Sequence, residues 1–238
     1  MTASLPYTDL FIDFDDTLYD TRGNATIALR ELYDQHQLER FYPEFEKFAE
    51  VYWRINDELW HAFAHDEITK EALIIERFRR PLEQTGQARL SDAQCLQLSD
   101  DFFALNADKP GTIVGAHDLL DYLAERGYRL HLCSNGFGEV QYRKLAASGL
   151  EGRFDTVVLS EDAGANKPSE QYFRYAFERT GAQADRTLMI GDNPATDIVG
   201  AQRMGMDTLW FNEQGREAEL NLPPTYEVGV LEEIRNIL

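Results

Sequence analysis

The sequence predicts an α/β fold, in which helices cover a parallel sheet and an all-helical module is inserted after the first strand. Short apolar runs recur along the chain and are separated by segments of helix length, an alternation typical of parallel sheets. Between about residues 22 and 106 the apolar residues recur instead at helical spacing, without strand-like alternation. These two observations define the fold class.

The predicted strands are short and apolar, and the first of them, Leu10–Ile12, runs directly into Asp13. The later strands are Tyr128–Cys133, Thr156–Leu159, Thr187–Ile190 and Thr208–Phe211. The helices predicted between them are Ala116–Arg126, Glu139–Ser148, Glu170–Thr180 and Ala195–Met204. Gly127 has the position of a residue that ends a helix. The alternation therefore favours parallel strands with helices on both faces of the sheet.

The inserted module is predicted from three amphipathic stretches. They are Thr21–Gln37, Phe45–Phe63 and a third that begins at Ser91. The turn-forming segment 108–111 (Asp-Lys-Pro-Gly) is expected to return the chain to the sheet. We therefore expect a catalytic core formed by residues 1–20 and 108–238, and a helical cap domain formed by residues 21–107.

Charge and hydropathy exclude several classes of function. The 238 residues include 42 Asp and Glu but only 23 Lys and Arg, which gives a net charge of −19. Such a chain repels phosphate backbones, so we expect no binding to nucleic acid. The apolar runs are too short to span a bilayer, and the chain does not begin with a basic and then apolar leader. We expect a cytoplasmic protein without a membrane partner, in which an anionic substrate needs cations concentrated at its site.

The end of the first predicted strand carries two carboxylates. Asp13 and Asp15 are two residues apart on an extended or turning backbone, so that both side chains project to the same side. One carboxylate could attack phosphorus while the other protonates the leaving oxygen and then activates water. A cluster that caps the next helix would show the same pattern, and the motif alone leaves both interpretations open.

Polar residues also follow three later strands. Ser134 and the backbone amide of Asn135 could hold phosphate oxygens, or could simply begin a helix. Lys167 supplies a localised cation, or is a solvated loop lysine. After Gly191, the carboxylates of Asp192 and Asp197 suit a hard ion such as Mg²⁺, although Asp197 could also stabilise the first turn of a helix.

Taken together and in this order, these four motifs at strand ends resemble those of the haloacid dehalogenase-like hydrolase superfamily, and the resemblance extends over nearly the whole chain. Its first motif, Asp-x-Asp-x-Thr, is matched by Asp13, Asp15 and Thr17. The other three motifs are matched by Ser134, by Lys167, and by Gly191 with Asp192 and Asp197. The resemblance implies a Rossmann-like core, an aspartyl-phosphate intermediate and an essential Mg²⁺.

The resemblance also implies a role for each matching residue. Asp13 would be the nucleophile and Asp15 the general acid and base. The metal would be held by Asp13, Asp15 (through its backbone carbonyl), Asp192 and Asp197, the last directly or through water. The phosphoryl group would be bound by Thr17, Ser134, Asn135 and Lys167. Asp15 favours phosphate esters over carbon–halogen bonds, because the dehalogenases of the superfamily lack this second carboxylate, and Asp16 replaces a glycine that is common there.

The substrate is predicted to be a small phosphorylated metabolite. Residues 55–60, 67–70 and 77–78 resemble the pyrimidine 5′-nucleotidase branch, which implies a nucleoside 5′-monophosphate. Trp60 and Phe63 would stack on a base or pack within the cap, and Arg77 and Arg79 would contact substrate or be surface charges. A sugar-phosphate phosphatase or phosphomutase remains an alternative, as does, more remotely, an inactive binding domain of the same fold.

Overall fold

The computed structural model describes residues 7–87, 89–218 and 220–238, which form two compact units. One unit contains the chain up to Thr21 and from Gly111 to Leu238, and the other is Arg22–Pro110. The predicted domains also include residues 1–6, Ala88 and Glu219, which lie outside the described residues.

A six-stranded parallel sheet lies at the centre of the first unit and confirms the predicted fold class. In chain order its strands are β1 (Asp9–Ile12), β2 (Arg129–Ser134), β3 (Thr156–Leu159), β4 (Thr187–Gly191), β5 (Asp207–Phe211) and β6 (Tyr226–Val228). Their order in the sheet is β3-β2-β1-β4-β5-β6. The strand order therefore reverses at β1, between its neighbours β2 and β4. Ligands of such sheets bind outside the carboxyl ends of the strands near this reversal.

The α-helices occupy most of the remaining chain. They are α1 (Thr21–Gln35), α2 (Phe45–Ala64), α3 (Lys70–Glu83), α4 (Asp92–Asn106), α5 (Ala116–Glu125), α6 (Gly138–Ala147), α7 (Ser160–Ala163), α8 (Glu170–Thr180) and α9 (Val199–Arg203). Shorter 3₁₀ segments lie at Leu38–Arg40, Ala184–Arg186 and Leu231–Asn236. The side chains of Thr69, Ser91 and Ser169 accept hydrogen bonds from the first turns of α3, α4 and α8. These caps supply partners for backbone N–H groups that a helix leaves unpaired at its start.

The side chains of strand β1 pack into hydrophobic clusters on both faces of the sheet. All four of its residues are buried. Leu10 and Ile12 belong to one hydrophobic cluster, which includes leucines of α5, whereas Phe11 belongs to a second cluster, which includes Tyr172 and Phe173 of α8. Successive side chains of a strand point to opposite faces, so an apolar run needs a core on each side.

The second unit has a hydrophobic core of its own, with buried residues from α1 to α4. Within it lies Arg77, whose side chain is 4% exposed and donates through Nε to the hydroxyl of Tyr52 at 3.0 Å. Its guanidinium also lies 4.7 Å from the ring centroid of Phe102. Arg77 is therefore not a surface charge, whereas Arg79 pairs with Glu76 at 2.8 Å and also with Asp92.

The main differences from the sequence-based prediction concern β6, α3 and the segment after β4. Strand β6 is an additional edge strand of three residues, of which only Val228 is buried, so it lacks an apolar run. Helix α3 is also additional, and its pattern is interrupted by Pro81 within the last turn and by the buried Arg77. The predicted helix at Ala195–Met204 is instead a π-helical turn, Pro194–Ile198, followed by α9.

In the part of the chain that the structure describes, no helix combines the length and the apolar character needed to cross a membrane.

Candidate active site

The carboxyl ends of β1 and β4 place Asp13 beside the loop that follows β4. The backbone N–H of Asp13 donates to the carbonyl oxygen of Ile190 at 2.8 Å, which extends the pairing of the two strands by one residue. Its carboxylate is mostly buried and accepts a hydrogen bond on each oxygen, from Lys167 Nζ at 2.6 Å and from Thr17 Oγ1 at 2.9 Å. The position of the proposed nucleophile is thus fixed by its backbone and by both of its oxygens.

Lys167 is a buried cation that joins three elements of the site. Its Nζ donates to Asp13 Oδ1 at 2.6 Å, to Asp197 Oδ1 at 2.8 Å and to the carbonyl oxygen of Cys133 at 2.8 Å. An ammonium has three N–H donors, so all of them are used. Despite its burial, the neighbouring carboxylates hold the pKa of Lys167 above its ordinary value. The lysine is therefore not a solvated loop residue, since its side chain is only 2% exposed.

The loop after β4 brings two further carboxylates to Asp13. A Cβ atom added to Gly191 would lie 2.3 Å from Asp197 Oδ2, so only glycine fits this close approach. The backbone N–H of Asn193 donates to the same oxygen at 3.1 Å. Thr17 connects this loop with β1, because its fully buried hydroxyl donates to Asp13 and accepts from the backbone N–H of Asp192 at 3.1 Å. The hydroxyl of Thr17 is thus both a donor to and an acceptor from other protein atoms.

The resulting group of carboxylates fits a hard divalent cation. Carboxylate oxygens of Asp13, Asp192 and Asp197 lie within 4.8 Å of one another. Oxygen atoms in such a group are the ligands that Mg²⁺ and Ca²⁺ prefer. Burial raises the pKa of Asp13 to about 7, with the charge of Lys167 opposing this shift and that of Asp197 adding to it. Burial, followed by the charges of Asp13 and Asp197, also raises the pKa of Asp192 well above its ordinary value.

Asp15 is held by a different set of partners. Its Oδ1 accepts from Lys144 Nζ at 2.5 Å and from Thr21 Oγ1 at 2.6 Å. Its Oδ2 accepts from Gln141 Nε2 at 2.5 Å and, more weakly, from Ser134 Oγ at 3.4 Å. Burial alone would raise the pKa of Asp15, but the charge and hydrogen bond of Lys144 lower it below the ordinary value. The pKa values of the two aspartates of the first motif are therefore shifted in opposite directions, although each carboxylate pairs with a lysine.

The turn between the two aspartates and the following helix depends on Asp16. Its φ is +59°, in the left-handed region that favours glycine. Aspartate and asparagine tolerate this region better than most other side chains, because their short polar group can bond locally. This backbone conformation explains why a glycine is compatible with the position and why Asp16 can replace it.

Ser134 and Asn135 end β2 close to these groups. The hydroxyl of Ser134 accepts from the backbone N–H of Gly136 at 2.9 Å and from Gln141 Nε2 at 2.6 Å. The Asn135 side chain brackets Lys167, because its Nδ2 donates to the carbonyl oxygen of Lys167 at 2.9 Å and its Oδ1 accepts from the Lys167 N–H at 2.8 Å. Asn135 thus positions the lysine, while its predicted backbone contact to phosphate stays a prediction.

Four residues at this edge of the sheet were not predicted from the sequence. Gln141 and Lys144 of α6 contact Asp15, although the motifs that end strands give no indication of them. Trp210 Nε1 and Arg216 both donate to the carbonyl oxygen of Asp192, at 2.9 and 2.8 Å. One signal was available in the sequence: two polar residues three positions apart, Gln141 and Lys144, share one face of a predicted helix that directly follows a site strand.

Comparisons of the sequence and of the structure with known proteins indicate the same family. The family model for haloacid dehalogenase-like hydrolases matches residues 10–205. The chain is 34% identical to the HAD-hydrolase YfnB of Bacillus subtilis over 233 residues, which cover 98% of this chain and 95% of YfnB. A crystal structure of YfnB bound to magnesium superposes with a TM-score of 0.88 at 32% identity, and the match covers 98% of this chain and 99% of that one.

Two further relatives have names that state a substrate. The pyrimidine 5′-nucleotidase PynA of Streptococcus pneumoniae is 32% identical over 233 residues, which cover 98% of this chain and 95% of PynA. A glyceraldehyde 3-phosphate phosphatase of Methanothermobacter thermautotrophicus is 30% identical over 214 residues, which cover 88% of each chain. Both names describe hydrolysis of small phosphate esters by those proteins.

Proposed function

The chain belongs to the haloacid dehalogenase-like hydrolases, and on that premise we propose that it is a Mg²⁺-dependent phosphomonoesterase that uses Asp13 as its nucleophile. The observation that carries the proposal is the pair of separately held carboxylates. Asp13 lies against Lys167 and among the possible metal ligands, whereas Asp15 lies against Lys144 and Gln141. Covalent phosphoryl transfer needs one group that attacks phosphorus and another that moves protons.

In the first step an oxygen of Asp13 attacks phosphorus, and the bond between phosphorus and the ester oxygen breaks. Asp15 has a lowered pKa in the free protein, so it would take up a proton as the ester binds. It then gives this proton to the leaving oxygen, so that the alcohol leaves and an aspartyl phosphate remains on Asp13. In the second step Asp15 removes a proton from water, the hydroxide formed attacks phosphorus, and the bond to Asp13 breaks. Inorganic phosphate leaves, and Asp13 is again a carboxylate.

The remaining side chains would bind and stabilise the transferring group. Lys167 would place a positive charge beside the equatorial oxygens, and Ser134 and the N–H of Asn135 would donate to them at the start of α6. Asp13, Asp192 and Asp197, with the backbone carbonyl of Asp15, would hold Mg²⁺. When bound, the ion supplies neutralisation of the charge that the phosphoryl oxygens carry in the transition state.

Asp15 favours phosphate esters over carbon–halogen bonds as the substrate. A dehalogenation releases halide, which needs no proton, whereas an alkoxide leaving group does. The Asp15 carboxylate is held by four hydrogen bonds two residues after Asp13, which fixes its position beside the proposed nucleophile.

Within the phosphatases, we propose a nucleoside 5′-monophosphate as the substrate, with a pyrimidine base. The support is the 32% identity to PynA over nearly the full length of both chains. The similarity to the glyceraldehyde 3-phosphate phosphatase supports a small sugar or triose phosphate as the second candidate. A panel of nucleotides and sugar phosphates, each assayed for phosphate release at equal concentration, distinguishes the two by their ratios of kcat/KM.

The general proposal is tested with 4-nitrophenyl phosphate. We expect phosphate release that depends on Mg²⁺, stops with EDTA and returns with excess Mg²⁺. Asp13→Asn should reduce turnover by at least about 10³-fold, because the nucleophile is lost. Asp34→Asn, a change of the same chemistry on α1, serves as the control. Turnover that is independent of metal, or that survives Asp13→Asn, would contradict the proposal.

A further inference from the structure

The loop after β5 is folded around Arg216 by a buried asparagine. Asn212 is 4% exposed, and its Nδ2 donates to the carbonyl oxygen of Arg216 at 2.9 Å. Its Oδ1 accepts from the N–H of Arg216 at 2.8 Å. Nδ2 also donates to Glu227 Oε1 at 2.7 Å, in β6. The peptide groups on both sides of Arg216 are therefore fixed to the sheet, and the origin of its long side chain is fixed with them.

The guanidinium of Arg216 lies against Asp192. One nitrogen donates to the carbonyl oxygen of Asp192 at 2.8 Å and lies 3.3 Å from Asp192 Oδ2. Trp210 Nε1 donates to the same carbonyl oxygen at 2.9 Å. Two side chains from β5 and its loop thus hold the residue that also belongs to the carboxylate group.

The cations that pair with the three carboxylates differ in how deeply they are buried. Lys167 pairs with both Asp13 and Asp197, and its side chain is 2% exposed. Asp192 has a different partner: among the described residues, Arg216 is the cation that forms an ion pair with it, and the Arg216 side chain is 44% exposed. A half-exposed arginine can leave a carboxylate at low cost, because water replaces the contact. A buried lysine with three acceptors cannot.

We propose that Arg216 is a displaceable counter-ion of Asp192, which occupies the metal-binding carboxylate until a divalent cation takes its place and thereby lowers the affinity of the site for that cation. The inference rests on the proposed function in one respect, namely that Asp13, Asp192 and Asp197 hold the metal. It concerns the strength of metal binding and not the chemistry of the ester. Arg216 keeps its bond to the Asp192 carbonyl oxygen when its contact to the carboxylate is lost.

The test measures Mg²⁺ binding directly, by titration calorimetry on the full-length, EDTA-treated protein without substrate. Arg216→Gln removes the charge and keeps a polar side chain with N–H donors. We expect Mg²⁺ affinity to rise by roughly tenfold, which is the scale of repulsion between neighbouring charges in a water-like dielectric. Arg216→Lys retains the charge and should remain within about twofold of the wild type, since the Coulomb term is kept.

Two controls separate charge from position. Trp210→Phe removes a hydrogen bond to the same carbonyl oxygen without changing charge, and should not raise the affinity. Arg174→Gln on α8 removes an exposed arginine that pairs with Glu170, and should have no effect. Thermal melting of each variant without metal establishes that it is folded at the temperature of the titration.

Each outcome decides the inference. An affinity that is unchanged or lower in Arg216→Gln overturns it, as does an increase of the same size in Trp210→Phe. A change in the KM of the ester without a change in Mg²⁺ affinity would also overturn it, because Arg216 would then contact substrate instead. Absence of Mg²⁺ binding in the wild type would overturn the metal dependence of the proposed function as well. Wild-type binding with an unaffected Arg216→Gln variant would leave the proposed function intact.

Discussion

Replacing Asp15 by asparagine removes the proposed general acid and base with little change in side-chain size. In the wild type, four donors converge on the two oxygens of Asp15. An amide offers only one accepting oxygen, so it can retain Lys144 and Thr21 but turns its NH₂ group toward Gln141. The Gln141 amide can flip in response, because its buried Oε1 has no partner among the described residues.

The structure thus limits the cost to the fold. The variant loses the charge partner of Lys144, whose side chain is 8% exposed. The flip of Gln141 removes its N–H bond to Ser134, whose hydroxyl can donate to the flipped amide oxygen instead. Hydrogen bonds to charged groups contribute about 1.5–3 kcal/mol and an unpaired buried donor costs a similar amount, so we expect a loss of about 2–4 kcal/mol. In a chain of this size this lowers Tm by roughly 5–15 °C. The protein should therefore be folded at 25 °C, which circular dichroism checks.

The effect on the reaction depends on the leaving group. A nucleoside 5′-phosphate or another alkyl ester needs a proton on its leaving oxygen, and we expect kcat for such esters to fall by about 10²–10⁴-fold. A 4-nitrophenolate leaves without a proton, so Asp13 should still be phosphorylated by 4-nitrophenyl phosphate. The second step lacks its base, so stopped-flow measurement should show a burst of one nitrophenolate per chain, followed by slow turnover. Asp121→Asn, an exposed aspartate on α5, should behave like the wild type.

Two results would refute this reasoning. If Asp15→Asn hydrolyses alkyl and aryl phosphates with the same fractional loss and without a burst, Asp15 does not act on the leaving group. If turnover of both esters is unchanged, Asp15 does not move protons in the reaction at all, and its four hydrogen bonds are structural.

Two further predictions concern the loop after β4. Gly191→Ala places a Cβ atom 2.3 Å from the Asp197 carboxylate. We therefore expect the free energy of unfolding, measured by chemical denaturation, to fall by about 2–4 kcal/mol and Mg²⁺ binding to weaken. Gly229→Ala, where the added Cβ meets open space, is the control, and equal stability of the two variants would contradict the prediction. The folded chain raises the pKa of Asp13 to about 7 and shifts the pKa of Asp192 in the same direction. Protons bound there therefore stabilise the metal-free fold at low pH, and this contribution is lost as the pH rises above the unfolded value of 3.8. Asp192→Asn should therefore be more stable than the wild type at pH 8 without metal, by about 1–2 kcal/mol, and nearly equal to it at pH 4. The Asp192→Asn variant should no longer gain stability from Mg²⁺ in thermal melts. If the variant is less stable than the wild type at pH 8, the charge of Asp192 does not destabilise the metal-free fold.

The parts of this structure that follow local rules could be predicted from the sequence. Strand β1 is a continuous apolar run because both of its faces are buried, and the carboxylates that follow it lie two residues apart. Lys167 lies in the segment after β3, and Asp192 directly follows β4. A parallel sheet binds its ligands outside these carboxyl ends of its strands. The fold class follows from the same pattern, because each strand is separated from the next by a helix-length segment.

The missing parts depend on contacts between distant segments. Lys144 and Asp15 are 129 positions apart, and Arg216 and Asp192 are 24 apart, and no spacing rule relates such pairs. Strand β6 has only Val228 buried, because it lies at the edge of the sheet, and an edge strand needs no apolar run. The burial of Arg77 is similar, since its partners are the hydroxyl of Tyr52 and aromatic rings and not a carboxylate that charge patterning could reveal.

The distribution of charge explains how a chain with a net charge of −19 can bind a phosphate ester. Among the residues that the structure describes, three cations of the site pair with four carboxylates: Lys167 with Asp13 and Asp197, Lys144 with Asp15, and Arg216 with Asp192. With all of them ionised, these paired groups have a combined formal charge of −1, so most of the acidic excess of the chain lies outside them. One divalent cation would give these paired groups a net positive charge, where short distances and burial make charge effective, while the rest of the surface continues to repel polyanions. Inorganic phosphate should accordingly bind only together with Mg²⁺, and equal phosphate affinity in EDTA would show that the lysines alone are sufficient.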